Sequence, residues 1–396
     1  MSSDPLAAPE VVVAHESAPG MVAPCRRRSE LDWLRLGAIL GVFLFHTTRF
    51  FDPVDWHVKN PTTHRWLLVP TALFATWAMP LLFAISGAGT CYSLRQRDLK
   101  SYLRERVMRL LVPLAVGVFT HVLWQVYLER VSHGQFAGSF LQFLPRYFDG
   151  LYGYGGNFAW MGLHLWYLEL LFLLSLVLLP LFLWAGAGRG RALERMGGAL
   201  SRPGGPFLIA APVAFALALP GPGSFLGART WGGWNVLSHG CFFAAGFLLA
   251  SNERLYRSIR DHWLPATLVA TLLGTALGVV FIGAPGPAPG SVRAWLFSLG
   301  ISVVAWSAIL ALLGGAMDGL GAVRTRFLGR ASEIILPFYV LHQTVILTVG
   351  FVVVHWPAPD VAKWAIIAAT SLAATLAACE LIRRVGPLRV LFGMRA

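Results

Sequence analysis

The chain is written as long apolar runs separated by short polar clusters. Ten runs approach the roughly 20 mainly apolar residues that cross about 30 Å of hydrocarbon. They cover residues 33–51, 67–94, 107–128, 161–186, 206–220, 235–250, 263–284, 293–316, 331–354 and 361–382. The fifth and sixth are short, which leaves room for a different tilt, for extension into flanking residues, or for a partly re-entrant path. The pattern predicts an all-α, polytopic membrane protein of about ten transmembrane helices. One run stands out, because "LDWLRLGAILGVFLFH" (31–46) places Asp32, Arg35 and His46 among apolar neighbours.

Composition agrees with the pattern. Of 396 residues, 56% are hydrophobic and 13% charged, where a soluble domain carries about a quarter charged residues. The net charge of +13 would suit nucleic acid, but the placement of the charges points to a lipid bilayer instead. With a cytoplasmic N-terminus, 24 of the 32 Lys and Arg fall in inward-facing segments. That bias in alternate loops is the positive-inside rule. It predicts both termini in the cytoplasm of a multi-pass membrane protein, with no nucleic-acid partner.

Residues 1–28, rich in Ala, Pro, Ser and Val, read as a disordered cytoplasmic leader, 29–385 as the transmembrane domain, and 386–396 as a cytoplasmic tail. No cleavable signal is visible, so the first span serves as its own. Cys25, Cys91, Cys241 and Cys379 form neither a close pair nor a metal-ligand spacing, so no disulfide and no metal site are expected. A Gly-rich phosphate loop with Lys is missing, and the cytoplasmic loops are too short for a nucleotide-hydrolysing domain. The segment "GLYGYGGNFAW" in the outward connection 129–160 suits a sugar-facing loop and equally a plain connector.

Within the first run, Asp32 and Arg35 are three apart and can pair on one helix face. Arg35 and His46 are eleven apart, almost three turns, and so share a face about 16 Å apart along the axis. Arg35 then sits at the inner rim and His46 in the outer half of the membrane. A rim Arg anchors a helix end, but an intramembrane His usually faces a cavity or a functional path.

These residues resemble a known family. "LDWLRLGAILGVFLFH" is similar to the Asp-x-x-Arg-x(10)-His signature of the integral-membrane acyltransferase 3 family. "FAISGAGTCYSL" (83–94) resembles its Phe-x-x-Ser-Gly segment, and "YLRERVMRLLVP" (102–113) its Arg-x-x-Arg followed by Pro, which places Arg106 and Arg109 in that motif. "LGRASEIILPFYVLHQTVIL" (328–347) resembles its late span, with Ser332, Tyr339 and His342. The resemblance runs from about 28 to 385. "DWHVKN" (55–60) and "HLWYLELLF" (164–172) look closest to the branch that succinylates periplasmic glucans.

The resemblance implies transfer of an acyl group, acetyl or succinyl, from cytoplasmic acyl-CoA to a carbohydrate hydroxyl near the outer face. Acyl-CoA enters as a donor substrate; no tightly bound cofactor is implied. Thioester transfer to an alcohol needs a base for the hydroxyl and a donor for the developing oxyanion. His46 suits the first task near neutral pH, with Asp32 orienting Arg35. Arg106 and Arg109 suit the phosphates of the donor, and Ser86 is a further donor-site residue. His164, Trp166, Tyr339 and His342 are candidates for positioning the acceptor or stabilising the oxyanion, although a bond from His342 to a neighbouring span would explain that residue without catalysis. Glu169 and Glu333 are expected to pair with a neighbouring Arg or His. "FAISG" lacks the Gly two residues before Ser86 that a nucleophile elbow needs. The rival reading is a multi-span transporter of a sugar or lipid-linked solute. The acceptor glycan, an acyl-histidine intermediate and assembly into a homo-oligomer stay open.

Overall fold

The structure is a computed structural model that describes residues 28–186, 190–219, 232–281, 286–288 and 290–394. Apart from Arg28, the expected leader lies outside these residues, as does Cys25. The other three cysteines are free thiols.

The described chain is helical, with only isolated bridges in the loop around Leu151–Phe158. Helix α1 spans Ser29–Thr48 and returns through an ordered loop into α2, Leu68–Gln96. Next come α3 (Leu99–Arg106), a π-turn at Val107–Leu111, α4 (Val112–Phe119) and α5 (His121–Ser132). A short α6 (Phe140–Phe143) precedes α7 (Trp166–Val177), α8 (Leu179–Gly186), α9 (Gly190–Leu200), α10 (Ala210–Ala218) and α11 (Val236–Ser251). Four long helices follow: α12 (Glu253–Phe281), α13 (Val292–Gly319), α14 (Arg326–Val353) and α15 (Asp360–Arg384), then a short α16 (Gly386–Leu391).

Each of the ten apolar runs falls largely on helix, but length and composition qualify fewer of them to cross a membrane. Five helices qualify among the described residues, or up to eight if each bent pair is one span. The three pairs bend by 44° between α4 and α5, 47° between α7 and α8, and 120° between α9 and α10. The last follows from "SRPGGP", where Pro203 cannot continue a helix and Gly204 turns left-handed at φ 77°. Helix α1 falls short because Asp32, Arg35 and His46 dilute its apolar content. Helix α11, at 16 residues, is too short.

Pro80 lies inside α2, where it removes the N–H that the Thr76 carbonyl would accept. The Trp234 indole Nε1 donates to that carbonyl instead, at 3.2 Å, joining α2 to the lead-in of α11. Those two helices pack closely through glycines. A Cβ on Gly87 would lie 1.9 Å from the Phe243 carbonyl oxygen, and one on Gly246 would lie 1.8 Å from that of Ala84. Small residues at such a contact let backbones approach where lipid offers no hydrophobic drive. Helix α1 packs between α2, α13 and α14, and α5 lies against α14.

The loop joining α1 to α2 is clamped from within. Lys59 Nζ donates to the carbonyls of Arg49, Asp52 and Val54 and to Asp52 Oδ1, while Arg49 pairs with the fully buried Asp52. Asn60 Nδ2 and His64 Nε2 both bond Asp360 at the start of α15, at 3.0 and 2.9 Å. Burial pulls the Lys59 ammonium below its ordinary value, against the opposing pull of Asp52.

Candidate active site

A cavity of about 320 Å³ opens at the end of the bundle where α1 begins and α2 ends. Its walls carry Arg35 from α1, Ser86 and Tyr92 from α2, and Arg97, Glu105, Arg106 and Arg109 from the segment that follows. Four guanidinium groups thus face one carboxylate. Glu105 pairs closely with Arg97 and lies 3.6 Å from Arg109. Arg106 lies over the Tyr102 ring at 4.8 Å, and its Nε has no partner among the described residues. Arg35 keeps the expected pair with Asp32, at 3.7 Å.

The placement of Arg109 has a backbone cause. It sits on the π-turn, and Pro113 removes the N–H that its carbonyl would take in an α-helix. Such single π-turns inside helices occur often at functional sites.

Deeper in, the cavity ends on Tyr167 and Tyr339. Tyr167 donates to the Leu82 carbonyl at 3.2 Å, so the Ser86 hydroxyl donates to Tyr167 at 2.8 Å. The Tyr339 hydroxyl donates to the His164 carbonyl. Beyond this layer lies a group of imidazoles. His342 is 5.3 Å from His46 and 5.2 Å from His164, ring centre to ring centre, and His164 is 6.4 Å from His121. His164 Nε2 donates to the Val340 carbonyl at 3.0 Å. Trp56 stacks on the His46 ring at 5.9 Å and 14°.

Each ring leaves a nitrogen over. His46 Nδ1, His121 Nε2, His164 Nδ1 and His342 Nε2, with Gln343 Oε1 beside them, are buried without a hydrogen-bond partner among the described residues. A buried polar atom left unpaired costs about 1–3 kcal/mol. Four of the five belong to contiguous imidazoles, an arrangement suited to polar reactants.

Most sequence-predicted residues therefore gather along one path, from Arg35, Arg106 and Arg109 past Ser86 and Tyr339 to His342, His164 and His46. Arg35 and His46 share a helix, as their spacing predicts, yet only Arg35 lines the cavity. Trp166 does not join the imidazoles. It packs against Phe83, Tyr167 and His239, and lines a separate pocket of about 190 Å³ with Tyr152, Trp160 and Leu163. Two contacts differ from expectation and one agrees. His342 Nδ1 bonds the Tyr339 carbonyl of its own helix at 2.7 Å, not a neighbouring span. Glu169 Oε2 has no partner among the described residues, whereas Glu333 does pair, with Arg389 at 3.8 Å. Sequence reasoning missed Tyr167, Glu105, His121 and Gln343. Glu105, Tyr167 and Gln343 stand inside motifs already quoted, but nothing in their spacing singles them out.

Apolar helices enclosing a basic cavity that leads to buried histidines define a multi-pass membrane protein with a polar site inside its bundle. The chain belongs to the acyltransferase 3 family, whose acyltransferase domain matches residues 28–383. Among characterised relatives, it is 26% identical over 163 residues to the glucans biosynthesis protein C of Salmonella paratyphi B, and equally to those of Salmonella agona and Salmonella enteritidis. Each match covers 41% of this chain and 40% of the relative, so the chain spans about two-fifths of the length of those proteins. No solved structure is significantly similar. Family membership favours an acyltransferase over the transporter.

Proposed function

We propose that this protein moves an acyl group, acetyl or succinyl, from cytoplasmic acyl-CoA to a hydroxyl of a cell-envelope carbohydrate. The bacterial inner membrane, with the basic cavity facing the cytoplasm, is the proposed setting. The observation that carries the reading is the four-arginine cavity that ends on Tyr167 and Tyr339, with His342, His164 and His46 in the layer beyond. Anionic donor phosphates would meet Arg106, Arg109 and Arg35, where charge-assisted bonds are the strong ones. The acyl arm would extend past Ser86 towards the imidazoles.

At that point His46 acts as general base. It takes the proton of the acceptor hydroxyl as the oxygen forms its bond to the acyl carbon and the carbon–sulfur bond breaks, and the proton passes to the leaving thiolate. Tyr339 and Tyr167 stand at the inner end of the cavity, where a hydroxyl that turns from its carbonyl partner, His164 or Leu82, would stabilise the developing oxyanion. The glucan relatives support a glucose-containing acceptor.

Full-length protein reconstituted in vesicles, given acyl-CoA labelled in its acyl group and a linear glucose oligosaccharide, should label the sugar in a His46-dependent way. Transfer by His46→Gln at the wild-type rate would overturn the assignment of the base. Failure of the wild-type protein to bind or consume acyl-CoA would overturn the donor.

A further inference from the structure

A second histidine centre lies at the opposite end of the bundle from the basic cavity, and the mechanism above does not use it. His57, on the loop between α1 and α2, pairs through Nδ1 with Glu129 of α5. Glu129 is 5% exposed and takes two more donors, the Tyr152 hydroxyl at 2.8 Å and Arg130 Nη1 at 2.9 Å. Burial, reinforced by the Glu129 carboxylate, pushes the Tyr152 phenol up, so it remains a donor. With three donors the carboxylate stays ionised and fixes the His57 tautomer, Nδ1–H towards Glu129 and the lone pair on Nε2. That lone pair faces the Gln343 amide nitrogen at 3.3 Å.

Two features show that this ring is held for a purpose other than packing. The loop carrying it is clamped by Lys59, Asp52 and Asp360, as described above, which fixes a short connector far more firmly than its length requires. Gln343, 1% exposed, gives its amide nitrogen to His57 and to Gln125 Oε1 at 3.1 Å, while its Oε1 has no partner among the described residues. Next to His57 in sequence, Trp56 stacks on His46. The centre is therefore one ring away from the proposed base.

We propose that Glu129, His57 and Gln343 form the binding site for a pyranose unit of the acceptor. Gln343 Oε1 accepts a hydrogen bond from one sugar hydroxyl, His57 Nε2 gives up its 3.3 Å contact with the Gln343 amide to accept one from a second, and the edge of Trp56 bounds the ring so that a neighbouring hydroxyl is presented to His46. A paired acceptor set of this kind recognises a diol and rejects an apolar group, since an unanswered polar partner inside a buried site is penalised. The proposal rests on the carbohydrate-acyltransferase reading and names the residues that hold the acceptor.

The test uses full-length protein in vesicles, with acetyl-CoA or succinyl-CoA as donor and a linear glucose oligosaccharide as acceptor. His57→Gln and Glu129→Gln should each raise the acceptor KM on the order of tenfold to a hundredfold, the loss of one bond in a charge-supported network, and leave the donor KM unchanged. Calorimetric titration with the oligosaccharide alone should show the same weakening. Unchanged acceptor KM and unchanged binding in both variants would overturn the site. Equal loss of donor and acceptor affinity would overturn it too, because it would assign the pair a structural role. If the wild-type protein transfers nothing yet binds the sugar in a His57-dependent way, the site stands and the transfer reading falls. If it neither transfers nor binds, both fall.

Discussion

The rings of His46 and His342 lie 5.3 Å apart, and His46 Nδ1 and His342 Nε2 are both buried without a hydrogen-bond partner among the described residues. They come from opposite ends of the chain and meet because α1 packs on α14. The two imidazoles are not equivalent. His342 is anchored to the Tyr339 carbonyl, whereas His46 is held by ring contacts with Trp56, His342 and Phe45.

That difference gives a first expectation. His46→Gln should lower transfer by about 10²–10⁴-fold, the usual cost of losing a positioned general base, with acyl-CoA binding retained. His342→Gln can still donate to the Tyr339 carbonyl, so its loss should be about tenfold or less. Steady-state rates of both variants, beside donor affinity, check the order; a reversed order would move the base to His342.

The donor end of the path gives a second. Arg106→Ala or Arg109→Ala should weaken acyl-CoA binding by roughly tenfold, in keeping with about 1.5–3 kcal/mol for a bond to a charged group discounted for half-exposed side chains. Binding should also become less sensitive to salt, since screening acts on the charges removed. Donor affinity measured at low and high ionic strength decides it. An unchanged affinity in a correctly inserted double variant would leave these arginines as topology determinants only.

Packing of α2 against α11 supplies a third. Gly246→Ala and Gly87→Ala each put a methyl group into a carbonyl oxygen less than 2 Å away. Forcing the helices apart should cost about 1–3 kcal/mol and lower the melting temperature of the detergent-solubilised protein. Gly89→Ala is the control, because a Cβ there meets nothing within 4 Å. Equal melting temperatures for all three would refute the close-contact account.

Orientation gives a fourth. In a cysteine-free background, Lys100→Cys, exposed next to the basic cavity, should resist an impermeant thiol reagent applied from outside. Gln135→Cys, exposed at the opposite end, should react. Labelling of position 100 from outside would reverse the proposed topology.

How much of this was legible in the chain differs from residue to residue. The Arg35–His46 spacing and the Asp32–Arg35 pair are properties of one helix, set by its 3.6-residue period, and the structure keeps both. The apolar runs announced helices for the same reason, because burying a span in lipid needs length and hydrophobicity and little else. Bends were less legible. The turn at Pro203 and Gly204 falls just ahead of the short fifth run, whose path the pattern leaves open, and the π-turn that carries Arg109 depends on how Pro113 and its neighbours pack.

The meeting of α1 with α14, of His57 with Glu129, and of Tyr339 with the His164 carbonyl left no mark in any local pattern. Residues as far apart as His46 and His342 become neighbours only when helices choose their partners. Helices whose outer faces are all apolar look alike to lipid, so glycine contacts and interior hydrogen bonds make that choice. The sequence by itself determined that helices form, where Arg35 and His46 stand on one of them, and which family the motifs resemble. Only the tertiary structure decided that His342 and Trp56 close on His46, that His164 and His121 extend that group, and that Glu129 and Gln343 flank His57, because three-dimensional packing brings together polar groups that no spacing along one helix could join.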